Sequence, residues 1–360
     1  MACLDDVLLE QLLRGGLAGE ALAEVDAHLD GCADCRAKLG RAARKAASTP
    51  TRNERGAVRE LEPAPDPFLG RVIADRYHVK RRIGGGGMGT VYEAEHVLIG
   101  RRVALKVLLP QWASEREVVR RFQNEARAAG TLRHPGILEA LDMGRTEEGT
   151  PYLVLDYLEG RDLEAKMAAE APLSVRESVE IVRTIGDAVA AAHAAGIIHR
   201  DLKPENVFIH ELNPRERIVK VLDFGLARPV EAHERITEED ELVGTPMYMA
   251  PELILGRPAD TRADVFALGG LLLELLTGED PVPHRRGESL MGFVARAARE
   301  PRRRLREDRP DLPEALDEVV HRALSLDPAG RYASAHELFD ALMEATGRET
   351  MEESASWRLS

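Results

Sequence analysis

The chain has 360 residues, 44% hydrophobic and 31% charged, with a formal net charge of −13. That length leaves room for two or three domains. The acidic balance argues against a general nucleic-acid binder, which needs a basic face. No stretch approaches the roughly 18 to 20 apolar residues that span a bilayer.

The opening Met-Ala-Cys-Leu-Asp-Asp has no basic lead-in, so no signal peptide is expected and the default compartment is the cytoplasm. Residues 1–40 carry Leu4, Leu8 and Leu12, then Leu22, Val25 and Leu29, at helical spacing. Gly15, Gly16 and Gly19 separate the two runs, which predicts two short helices and a turn. All three cysteines fall in this segment: Cys3, Cys32 and Cys35. His28 precedes Cys32 by four positions, so His28, Cys32 and Cys35 have the spacing of a zinc triad around a tight turn, and Cys3 can supply a fourth ligand. Two blander readings stand beside it, a helical hairpin with reduced thiols and a redox pair of Cys32 with Cys35. Residues 41–70 are poor in large apolar side chains and include "EPAPDPF", the composition of a linker.

From Tyr77 to about Thr346, strand spacing gives way to long helical patterns. "RIGGGGMGTVYEA" contains Gly84, Gly86 and Gly89 at G-x-G-x-x-G spacing, with Val91 after them. A dinucleotide fold would place such glycines between a strand and a helix. Here the alternating "TVYEAEH" follows, so they form a hairpin tip whose backbone N–H groups can approach phosphate; taken alone, the run also reads as a flexible loop. "RRVALKVL" is another strand, and its Lys106 is either an exposed edge lysine or a buried one that needs a partner. Glu125, in the amphipathic stretch "EVVRRFQNEARAAGTL", is available.

"IIHRDLKPENVFI" spans Ile197 to Ile209, with apolar residues flanking a polar cluster. Asp201 can take a proton from an attacking hydroxyl, Lys203 can neutralise phosphoryl charge, and Asn206 can hold a metal through its amide oxygen. "VKVLDFGLAR" then ends an apolar strand in Asp223, a carboxylate placed to bind Mg²⁺.

Taken with Ala250-Pro251-Glu252, these stretches resemble the signature set of the protein kinases over about residues 77–346. "KPEN" resembles the serine/threonine rather than the tyrosine branch, and "GGMGTVY" resembles bacterial kinases of the eukaryote-like type. The resemblance implies an α+β bilobal fold, a small antiparallel β lobe followed by a large helical lobe. It also implies ATP and Mg²⁺ as cofactors. Asp201 would be the catalytic base, with Lys203 on the γ-phosphate, and Asn206 and Asp223 on Mg²⁺. Lys106 would pair with the α- and β-phosphates and with Glu125. Adenine would lie between Ile83, Val91 and Ala104 above and Phe208 below, with Leu155 at the back and the backbone of Asp156 to Leu158 as hinge. Glu252 would pair with Arg331, and Asp264 would brace the catalytic loop. A pseudokinase scaffold is the rival reading, disfavoured because Lys106, Asp201, Asn206 and Asp223 are all present.

The N-terminal segment resembles zinc-binding anti-sigma domains, with Cys3, His28, Cys32 and Cys35 as the ligand set. That implies a regulatory protein partner, beside protein substrates and a transient homodimer for autophosphorylation. The basic stretch 295–308 reads as a solvated helix end and loop rather than a docking patch, because acidic residues interrupt it. Between Phe224 and Ala250 the hydroxyl candidates for regulation are Thr237, Thr245 and Tyr248. Thr245 reads as structural. Glu241 falls where the resemblance puts a phosphothreonine, so either a built-in carboxylate or Thr237 would engage Arg200. Residues 347–360 read as a polar tail.

Overall fold

The structure is a computed structural model that describes Val25, His28 and residues 66–213, 216–224 and 246–347. The chain divides into two compact units, Met1–Pro65 and Asp66–Ser360. In the first, Val25 and His28 are both helical, Val25 buried and His28 half-buried. Cys3, Cys32 and Cys35 lie outside the described residues, as do Thr237, Glu241 and Thr245.

The second unit opens with a six-stranded antiparallel sheet: β1 (Val72–Ile73), β2 (Tyr77–Gly85), β3 (Gly89–His96), β4 (Arg102–Leu108), β5 (Ala140–Arg145) and β6 (Pro151–Asp156). The strand order is β1-β2-β3-β4-β6-β5, so β4 is an interior strand. Its sequence explains the position, because both faces are apolar. Val103, Leu105 and Val107 pack with Tyr77, Val79, Tyr92, Tyr152 and Val154. On the other face Ala104 and Leu108 meet Leu153 and Leu155, with Phe122 and Ala126 of helix α1 (Arg116–Thr131) as cover. Lys106 therefore cannot be the exposed edge lysine; its side chain is 13% accessible.

Residues 66–70, expected within the 41–70 linker, belong to the second unit. Asp66 accepts the Tyr92 hydroxyl at 2.9 Å, and Phe68 is buried with its ring edge-on to Tyr92. The prolines of "EPAPDPF" hid an apolar anchor. Burial first, then the bond to Asp66, pushes the Tyr92 phenol up to about 12.

Below the sheet lie β7 (Gly160–Asp162), α2 (Leu163–Glu170), α3 (Val175–Ala194), β8 (Val207–Asn213) and β9 (Glu216–Val221). Helices α4 (Pro251–Ile254), α5 (Arg262–Thr277), α6 (Leu290–Arg299), α7 (Leu305–Asp308), α8 (Glu314–Ala323) and α9 (Ala335–Thr346) follow. β7, β8 and β9 form a second antiparallel sheet. Helix α5 is apolar on all sides and almost wholly buried, as a central core helix must be. Gly269 permits the close approach of α8, since a Cβ there would stand 2.9 Å from that of Ala323. No helix among the described residues is long and apolar enough to cross a membrane.

The basic stretch 295–308 departs from its solvated reading. Arg302 is 5% exposed, donates to the carbonyl of Ala297 at 3.0 Å and lies over the Phe266 ring. Arg296 binds Glu288, Arg303 binds Asp308 and Arg304 binds Asp317, each within 3 Å. The acidic residues near these arginines are partners, not interruptions. Tyr248 is also corrected: it is buried, and its hydroxyl bonds Glu274, so it is not an open hydroxyl for modification.

Candidate active site

The cleft between the first sheet and the helices below it gathers the polar residues expected of the site. Lys106, projecting from β4, is 2.7 Å from Glu125 Oε1 and 3.0 Å from both carboxylate oxygens of Asp223. β4 and α1 fix the first pair, and Phe122 and Ala126, buried on the same helix, hold α1 against the sheet. Asp223 follows β9 by two residues at a φ of +43°, a left-handed conformation that turns the chain sharply. Phe224 is buried against the His199 ring, with centroids 4.8 Å apart.

Burial alone would discharge Lys106, but the carboxylates of Asp223 and Glu125 outweigh it and hold the ammonium above its usual range. Glu125 shifts the other way. Burial and the neighbouring Asp223 carboxylate push it up to about 7, against the opposing pull of Lys106. Burial also works against the charge on Asp223, yet Lys106 prevails and lowers its pKa. The Asp223 side chain remains 46% open to the cleft. The trio is therefore a cation between a carboxylate held low and one pushed up.

The loop between α3 and β8 is tied from three sides. Asp264, in the first turn of α5, accepts the backbone N–H of His199 through Oδ2 and of Arg200 through Oδ1, both at 2.9 Å. Arg200 sits at a φ of +65°, a conformation a non-glycine residue holds only when its surroundings impose it. The His199 ring nitrogen Nε2 pairs with the carbonyl of Leu222 at 2.9 Å, joining this loop to the segment that carries Asp223. Asn206 donates to the Asp201 carbonyl at 2.7 Å and to its Oδ2 at 3.2 Å. Lys203 Nζ lies 3.7 Å from the same carboxylate. The other oxygen, Asp201 Oδ1, is buried without a hydrogen-bond partner.

The glycine run forms the turn between β2 and β3, as expected. A Cβ at Gly89 would meet the Val107 carbonyl at 2.8 Å, whereas one at Gly86 would meet nothing and would fill the space beside the tip. Val91, Ala104, Leu155, Leu158 and Leu222 share one apolar cluster. Ile83, 39% exposed, and the half-buried Phe208 lie outside it. The Asp156 N–H is engaged by the Glu139 carbonyl. Glu252 and Arg331 form a buried two-pronged pair, 2.7 Å on each arm.

Two contributors were missed. His193 on α3 lies 2.7 Å from Asp264 Oδ2, and Trp112 reaches the glycine tip. Neither is marked in sequence, because the partner of each lies far along the chain.

The donor set suits a magnesium nucleotide. One carboxylate and one amide oxygen are what Mg²⁺ takes from a protein when phosphates supply the rest. The unpaired Asp201 oxygen is an acceptor that could take a hydroxyl, and the room beside Gly86 would be lost with any side chain. Among the described residues no three His, Cys, Asp or Glu side chains form a metal cage.

Residues 77–342 match the protein kinase domain model, and residues 7–36 match a zinc-finger model. The serine/threonine-protein kinase pkn3 of Myxococcus xanthus is 38% identical over 296 residues, covering 80% of this chain and 53% of that protein. PrkC of Bacillus subtilis, also a serine/threonine-protein kinase, is 35% identical over 271 residues, covering 75% and 40%. The chain thus spans about half or less of these relatives' length. The crystal structure of the Mycobacterium tuberculosis PknI kinase domain superposes with a TM-score of 0.60 at 35% identity, over 77% of this chain and 98% of that one.

Proposed function

Because this chain belongs to the protein kinase family, we propose that it is an active serine/threonine kinase that moves the ATP γ-phosphate to protein hydroxyls, its own included. The observation that carries the reading is the intact cluster: Lys106 paired with Glu125 across from Asp223, on the same cleft as Asp201 and Asn206. A scaffold that had lost catalysis would have no need to keep every one of these groups.

The kinase reading assigns the roles, and the geometry supports them. Asp201 Oδ2 is held by Asn206, leaving Oδ1 to orient the acceptor hydroxyl and take up its proton. Lys203, close enough to share that carboxylate, neutralises charge on the transferring group. Lys106, paired with Glu125, would hold the α- and β-phosphates. Asn206 and Asp223 would hold Mg²⁺. Adenine would lie against Val91, Ala104, Leu155 and Leu158, with Ile83 and Phe208 at the mouth, and the Asp156 carbonyl and Leu158 N–H would form the hinge bonds. Bound Mg²⁺–ATP supplies the phosphoryl group and the metal charge that offsets its negative oxygens.

The N-terminal segment is proposed as a zinc module held by Cys3, His28, Cys32 and Cys35 that docks a regulatory protein. The zinc-finger match to residues 7–36 covers His28, Cys32 and Cys35 and supports the zinc reading for them. A cytoplasmic location goes with this reading.

The test is Asp201→Asn. Transfer to a protein substrate should fall by at least about 10²-fold, the scale of a lost general base, while ATP affinity stays within about twofold. Autophosphorylation at the wild-type rate in the variant would refute the assignment.

A further inference from the structure

The run Gly84-Gly85-Gly86-Gly87-Met88-Gly89 has almost no side chains with which to hold itself in one shape. Glycines lose more conformational freedom on ordering than any other residue. Within the turn, one bond closes the tip, from Gly86 N–H to the Gly89 carbonyl at 2.9 Å. Two more bonds come from a single turn of 3₁₀ helix, Pro110–Trp112, and the residue before it. The Leu109 N–H donates to the Met88 carbonyl at 2.9 Å, and the Trp112 indole N–H donates to the Gly87 carbonyl at 2.8 Å.

These bonds set the direction of more than the carbonyls. A trans peptide is planar, with its C=O and N–H pointing opposite ways. Drawing the Gly87 carbonyl toward Trp112 therefore turns the Met88 N–H to the opposite side of the loop. Drawing the Met88 carbonyl toward Leu109 does the same for the Gly89 N–H. Neighbouring amides turned to one side form an anion-binding concavity.

Trp112 is also tied to the helix that carries Glu125: its carbonyl accepts the N–H of Glu115, the residue before α1, at 3.1 Å. Trp112 packs on the apolar cluster that includes Val118, Val119, Phe122 and Ala126 of α1. Leu109 directly follows β4, the strand of Lys106. The segment Leu109–Trp112 thus connects the glycine tip, the lysine strand and the glutamate helix.

We propose that Trp112 is a positioning residue for the nucleotide, fixing the backbone amides of the glycine tip and registering them against α1. This rests on the kinase reading and adds to it a group that touches neither nucleotide nor acceptor. Because the tie orders the tip before the nucleotide arrives, its loss weakens ATP binding in the ground and transition states alike. KM for ATP then rises with little change in kcat.

The chain has two tryptophans, Trp112 and Trp357, so Trp357→Phe leaves Trp112 as the sole emitter. In that full-length background, saturating Mg²⁺–ATP should shift or quench the emission. Trp112→Phe keeps a ring but lacks the N–H; it should raise KM for ATP about fivefold, the effect of one lost hydrogen bond, with kcat within about twofold. An unchanged KM in a folded Trp112→Phe chain overturns the proposal, whatever the emission does. Should that variant fail to fold, the Trp357→Phe chain decides, and emission indifferent to saturating Mg²⁺–ATP overturns it. If the parent chain neither binds nor turns over ATP, the kinase reading has failed and this proposal falls with it. A parent chain that phosphorylates normally isolates any failure to Trp112.

Discussion

Arg331 and Glu252 are separated by 79 positions in sequence and meet in a nearly water-free site, with side-chain exposures of 0% and 6%. Removing one partner strands the other. The two losses should differ, because the residues are not equally provided for. Arg331 also donates to the carbonyls of Ser325, Arg262 and Leu326, and lies over the Phe266 ring at 4.8 Å. Glu252 has Arg331 as its sole side-chain partner among the described residues. Breaking a buried pair costs about 3 to 5 kcal/mol. Glu252→Leu should sit near the lower end, about 3 kcal/mol, and Arg331→Met near the upper, about 5 kcal/mol. The double variant removes both charges together and should cost only about 2 kcal/mol, since apolar replacement of a whole pair is close to neutral. Urea unfolding of the four full-length chains, followed by far-ultraviolet circular dichroism, gives the cycle. Additivity within about 0.5 kcal/mol, the behaviour of independent sites, would refute the account of a pair whose members depend on each other.

Glu125 gives a pH signature in the nucleotide-free chain. Its carboxyl is held up to about 7 in the folded state against a usual 4.5, so folding takes up a proton between those values. The stability it contributes is complete below pH 4.5 and is lost as pH rises through about 7. Glu125→Gln should flatten the fall in melting temperature across that window; a wild-type slope retained in the variant would assign the titration elsewhere. In the N-terminal segment, metal analysis of the full chain should find about one zinc, absent after the joint change of Cys32 and Cys35 to Ser. A carefully purified wild-type sample without zinc would defeat the ligand set.

Sequence made the catalytic parts legible because each lies in a short run with its chemistry beside it. Asp201, Lys203 and Asn206 fall within six consecutive positions. Long-range ties read from resemblance, such as Asp264 to the catalytic loop and Glu252 to Arg331, appear in the structure at hydrogen-bond distance. What escaped depends on partners that no local pattern names. His193 reads as one more polar residue in an alanine-rich helix until Asp264, 71 residues on, is placed beside it. Arg302 reads as solvated among its basic neighbours, yet it satisfies carbonyls at the end of α6 and covers Phe266. Phe68 was absorbed into a proline-rich linker because a single aromatic carries no periodicity. The Trp112 tie joins an indole to a glycine carbonyl, a bond that any tryptophan could make and that spacing alone does not predict.

The all-round burial of α5 has a consequence for how this scaffold can change over time. An α-helix turns about 100° per residue. A surface helix absorbs a one-residue insertion by rotating its polar face, but α5 has no polar face to spare. Asp264 must meet His199 and Arg200 at one end, while Gly269 must meet Ala323 further along. An insertion between them would put the two contacts out of phase, and no rigid rotation could restore both. The stretch from 264 to 269 should therefore refuse changes of length. The surface turn 97–100 between β3 and β4, where Leu98 and Ile99 are largely exposed, carries no such phase. Lineages of this architecture are expected to record their insertions there and never within the central helix.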